Sequence, residues 1–103
     1  MEATMDLKVW RRMNEDDECL EVQIGTWPEG APRTSLLEPV TSGGWAGHHN
    51  RRLHLIVWQI EPAGWRGIVA GPKGCFANDD LAPTPEESLI LALRAYPFDL
   101  GNH

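Results

Sequence analysis

Cysteine is scarce in this chain of 103 residues: Cys19 and Cys75 allow at most one disulfide. That excludes a small domain stapled by several bridges, and each thiol reads as a small buried hydrophobe in a reducing compartment. Long apolar runs are missing too. The longest aliphatic–aromatic stretch, Leu55-Ile56-Val57-Trp58, is far too short to span a bilayer, and no apolar stretch near Met1 resembles a signal peptide. Positive charge is in short supply: nine Lys and Arg stand against fifteen Asp and Glu, giving a formal net charge of −6 and a pI near 5.0. Phosphate backbones are bound by basic faces that release counterions, so direct nucleic-acid binding is not expected. These absences point to a cytoplasmic protein without a membrane partner.

Catalytic and ligand-binding signatures are also lacking. There is no CxxC, HxxxH or HExxH spacing for a metal, and no GxxxxGK[ST] loop for a phosphate. Glu15-Asp16-Asp17-Glu18 lacks the alternating acids and central glycine of a calcium loop. No cofactor is expected.

What is present is a hydrophobic fraction of 42%, ordinary for one globular domain, and five tryptophans, each able to bury a large area in a small protein. Residues 1–103 read as a single domain. The charge is segregated along the chain. Residues 1–32 hold eight acids and three bases, and residues 74–103 hold five acids and one base. Residues 33–73 hold five bases and two acids, so the middle is basic inside an acidic frame.

Asp6–Met13 and Cys19–Ile24 alternate in polarity, the pattern of half-buried strands, with Asn14 to Glu18 as the connecting loop. From Gly25 to Asn50 periodicity disappears, and the stretch reads as a long, functional loop with at most a short element around Leu36-Leu37-Glu38. Arg52–Ile60 and Trp65–Ala70 form a second hairpin across Glu61-Pro62-Ala63-Gly64, in a register that places Trp58 opposite Gly67 and Ile56 opposite Val69. Both faces of that hairpin are apolar. Thr84-Pro85-Glu86-Glu87 opens a helix with a capping threonine, a proline at the first position and acids suited to the positive end of the dipole. It ends at Pro97, and Leu89, Ala92, Leu93 and Tyr96 form its core stripe. The expected fold is α+β: a mostly antiparallel sheet of about four strands, from two hairpins, with one C-terminal helix packed on one face. The second sheet face is then left for the long loop, a partner or a second copy of the chain.

Two constellations compete for function. The acids Glu15, Asp16, Asp17, Glu18, Asp79 and Asp80, with Glu86 and Glu87 at the helix entrance, form a negative surface for a basic partner. Trp27, Trp45 and the Arg51-Arg52 pair are residue types enriched at binding hot spots and add candidate anchors; the alternative is that the two tryptophan rings fold back as a lid over the sheet. Against this stands a small hydrolase or metalloenzyme built on His48, His49 and Cys75, with a histidine as base to the cysteine or as metal ligand, His54, Cys75 or His103 completing a metal set. A third reading is a self-associating domain that closes its open apolar face by dimerising.

Glu61-Pro62-Ala63-Gly64-Trp65, then Gly74-Cys75, then the Thr84-Pro85-Glu86-Glu87 helix opening, resembles the strand–strand–helix rhythm of HicB-type antitoxins. The same rhythm is similar to small phage-encoded inhibitors, anti-CRISPR proteins among them. The resemblance implies a protein that acts by binding another protein, without catalysis. The expectation is therefore a small acidic, non-catalytic inhibitor or adaptor that acts on a basic, nucleic-acid-handling protein.

Overall fold

The computed structural model describes residues 4–27, 33–41 and 43–97. The chain runs β1 (Thr4–Asn14), β2 (Asp17–Trp27), β3 (Arg33–Val40), β4 (Gly44–His49), β5 (Leu53–Glu61), β6 (Gly64–Gly71), β7 (Gly74–Ala77) and α1 (Pro85–Ala95). The strands form one seven-stranded sheet in sequence order, and every neighbouring pair is antiparallel. This corrects the expectation of about four strands in two hairpins. The helix is as expected: Thr84 caps it, its hydroxyl accepting from the Glu87 N–H at 3.1 Å. Among the described residues no helix is long and apolar enough to cross a membrane.

The strands that sequence periodicity missed are β3 and β4, which occupy most of the expected long loop. β3 links the two halves of the sheet. Its first half pairs with β2 from Arg33 to Leu37, and its second half pairs with β4 from Glu38 to Val40. Pro39 lies in the second half, where the β2 side is no longer paired, so its missing N–H costs no ladder bond there. In β4, glycines hide the strand signal. At Gly47 an added Cβ would lie 2.8 Å from the Leu36 carbonyl oxygen, so close packing against β3 requires glycine.

Both halves of the sheet contribute to one core. Leu20, Val22, Ile24 and Leu37 come from one half, and Trp45, Leu53, Leu55, Val57 and Val69 from the other. Leu89, Ala92 and Leu93 of α1, with its C-cap Tyr96, complete it, as their helical spacing implied. The helix packs chiefly on β6 and also touches β1, β5 and β7.

The β5–β6 register differs by one residue from expectation. Val57, not Trp58, faces Gly67, and Leu55 faces Val69. The cause is a bulge between Gln59 and Glu61, with a turn of only Pro62-Ala63. Gly67 consequently serves the helix: an added Cβ would lie 2.6 Å from the Ser88 carbonyl oxygen. The β1–β2 connection is likewise tighter than expected, just Glu15-Asp16 between Asn14 and Asp17.

Candidate functional site

In an antiparallel meander, alternate turns lie at the same end of the sheet. The β1–β2, β3–β4 and β5–β6 turns share one end, which the C-terminus of β7 and the entrance to α1 also reach. At that end lie Glu15, Asp16, Asp17, Glu18, Glu61, Asp79, Asp80, Glu86 and Glu87. The topology thus joins two acidic segments that are far apart in sequence.

Arg11 ties them together. It lies on the inner face of β1, opposite Leu20. Its Nε donates to Glu86 Oε2 at 3.0 Å, and its Nη1 donates to Glu18 Oε1 at 3.1 Å. The guanidinium carbon stands 5.5 Å from the centre of the Trp45 ring, where the π face attracts a cation. Glu86 keeps its other oxygen, Oε1, buried without a hydrogen bond among the described residues. The other bases near this end are also engaged: Arg12 pairs with Glu21 at 2.9 Å, and Arg66 Nη1 donates to the Asn78 carbonyl at 2.6 Å. Glu15, Asp16, Asp17, Glu61, Asp79, Asp80 and Glu87 are exposed and form no ion pair among the described residues.

Asn78 fixes the approach to the helix. Its buried side chain accepts from the Gly67 N–H at 3.0 Å and donates to the carbonyls of Trp65 and Asp80 at 3.2 and 2.7 Å. The segment that carries Asp79 and Asp80 is therefore pinned to β6, with its carboxylates outward. Neither Arg11 nor Asn78 stood out in the sequence, because each role depends on contacts between distant strands.

The remaining candidates separate from this end. Trp45 is inside the core, not in a loop. It is 9% exposed, its Nε1 donates to the Glu18 carbonyl at 2.8 Å, and its ring lies 5.7 Å from Trp65. It is thus not a contact anchor; it supports the acidic turn from beneath. Arg51 and Arg52 sit at the far end of β5, whose nine residues span about 30 Å at about 3.3 Å per residue. They share that end with exposed Lys73 and Arg94. No single compact footprint covers both the acids and this arginine pair. Trp27 ends β2, but its side chain lies outside the described residues.

His48, His49 and Cys75 do not meet. His48 points outward and is exposed, whereas His49 points inward, 3% exposed, with Nδ1 2.7 Å from the Ser35 hydroxyl. Cys75 is on the outer face three ladder steps from His48, through His54 and Ala70, or about 14 Å at about 4.8 Å per strand. Among the described residues no three His, Cys, Asp or Glu side chains are grouped to hold a metal ion. Both cysteines are free, Cys19 buried and Cys75 exposed.

Compared with protein-family models, curated proteins and solved structures, the chain matches none.

Proposed function

We propose that this protein is a non-catalytic, cytoplasmic binding module whose acidic end docks on a basic protein surface. The observation that carries the reading is the double engagement of Glu18 and Glu86 by Arg11, which holds the β1–β2 turn and the helix entrance at one end. Glu15, Asp16, Asp17, Glu61, Asp79, Asp80 and Glu87 form no ion pair there among the described residues, so a partner supplies the compensating charge. A protein that handles nucleic acid presents such a surface, and an acidic competitor for it acts as an inhibitor.

The test is co-purification from nuclease-treated lysate at low and high salt. A stoichiometric partner that is lost as salt rises supports the reading, because interactions between exposed charges are screened. A partner retained at high salt, or none at either, counts against it.

One feature favours self-association as a second reading. Ala46, Ile56, Ile68 and Ala77 form an apolar row across the outer face of β4 to β7, and Ile56 is 39% exposed. A molar mass of twice the chain by light scattering, reduced by Ile56→Lys, would support it.

A further inference from the structure

On the outer face, near the end opposite the acids, β4 and β5 set His48 directly across from His54. Both side chains are exposed, and their ring centroids are 4.3 Å apart at an interplanar angle of 62°. We propose that His48 and His54 form a two-histidine chelate for a borderline divalent transition ion, with Cu2+ the tightest binder.

A divalent ion held about 2.0–2.1 Å from one nitrogen of each imidazole sits about 3.2 Å from each ring centre, so rings at right angles around it have centres about 4.5 Å apart. The observed separation differs from this by a few tenths of an ångström, which small rotations of two exposed side chains accommodate. A bite near a right angle suits tetragonal coordination, the preference of Cu2+, and Cu2+ also heads the affinity order for nitrogen donors.

The backbone of the pair is preorganised. The register that opposes the two rings is set by a tight turn in which Arg52 N–H donates to the His49 carbonyl at 3.2 Å. Asn50 and Arg51 both take positive φ there, 54° and 61°, as in the turns that match the twist of a hairpin. The backbone is thus already fixed, and only the two side chains are left to order on binding. The neighbour of His54 on β6 in the same row is Ala70, which leaves the outer side of the ion open. Water or a donor from another molecule fills the remaining positions.

This site is independent of the acidic end, about a strand length away, so either can fail without the other. The full chain is titrated with Cu2+ in a non-coordinating buffer, by calorimetry and by electron paramagnetic resonance. The expected result is one tight equivalent with two nitrogen donors. Loss of a directly bound ligand costs at least what loss of a supporting contact does, so His48→Ala and His54→Ala should each weaken binding by about tenfold or more. If an alanine variant melts early, His54→Gln keeps a polar side chain of similar size, and it must lose binding at wild-type melting temperature. Wild-type affinity in His48→Ala or His54→Ala, or no tight equivalent in the wild type, overturns the proposal.

Discussion

Arg11 and Glu86 are separated by 75 residues, yet the Arg11 Nε lies 3.0 Å from Glu86 Oε2. This bond joins the first strand of the sheet to the first turn of the helix. Because Arg11 also holds Glu18 and covers Trp45, its removal loosens three elements at once. Arg11→Ala should destabilise the fold by about 1–2 kcal/mol, since each exposed ion pair contributes little singly and the cation–π contact with Trp45 adds to the two. Denaturant unfolding checks this. A double-mutant cycle with Glu86→Gln should return a coupling, whereas additive effects would mean that the pair does not act as a tie.

Trp45 supports the acidic turn through its bond to the Glu18 carbonyl. Trp45→Ala removes a core ring and should cost about 3–5 kcal/mol. Trp45→Phe keeps much of the packing but leaves that carbonyl without its donor, so its cost should be smaller and still measurable. A mild effect of the alanine change would place the ring outside the core.

Two tight turns carry charged residues where glycine is at ease: Glu15 has φ 59° and Arg51 has φ 61°. A side chain in the left-handed region costs about 1–2 kcal/mol, partly offset by the larger unfolded-state entropy of glycine. Glu15→Gly and Arg51→Gly should each stabilise the fold by about 0.5–1 kcal/mol in equilibrium unfolding. Under the docking account, Glu15→Gly alone also weakens partner binding, a stability gain set against a functional loss.

Cys19 makes an alkaline prediction. Burial first, then the nearby Asp17 and Glu38 carboxylates, push its thiol up from the ordinary value of 9.0. The neutral thiol is favoured more strongly in the folded chain than in the unfolded one. Its contribution to stability is fully present below pH 9.0 and is lost as pH rises through the higher folded value. Unfolding free energy should therefore fall above that pH, and less steeply in Cys19→Ala. A thiol reagent at neutral pH should modify exposed Cys75 quickly and Cys19 only on unfolding.

The parts of the fold that were legible carry their own local signal. The α1 boundaries follow from Thr84, Pro85 and Pro97, and its buried stripe from 3.6-residue spacing. β2 and β5 alternate cleanly. β3 and β4 do not: Leu36-Leu37 breaks the alternation, Pro39 argues against a strand, and Gly44-Trp45-Ala46-Gly47 is poor in strand formers. What makes them strands is pairing with β2 and β5 and close packing at Gly47, a tertiary effect that local propensity does not encode. The one-residue error in the β5–β6 register came from the bulge near Ile60, since alternation alone does not reveal an inserted residue.

The candidate site was half legible. The acids could be read as a surface, because like charges rarely pack inside. Their assembly at one end was hidden, because it depends on strand order and on Arg11. Trp45 misled for a related reason: flanking glycines suggested a loop, yet they serve close strand packing around a buried ring.

The central claim is that the acidic end makes the contact, and charge reversal tests it most directly. Wild type, Asp16→Lys/Asp79→Lys/Asp80→Lys and Arg51→Glu/Arg52→Glu would be compared in the same nuclease-treated co-purification, after each is shown to melt like the wild type. The account predicts that reversing the three acids releases the partner while reversing the distant arginines leaves it bound. A partner that stays with the acid-reversed protein, or leaves with the arginine-reversed one, would contradict it.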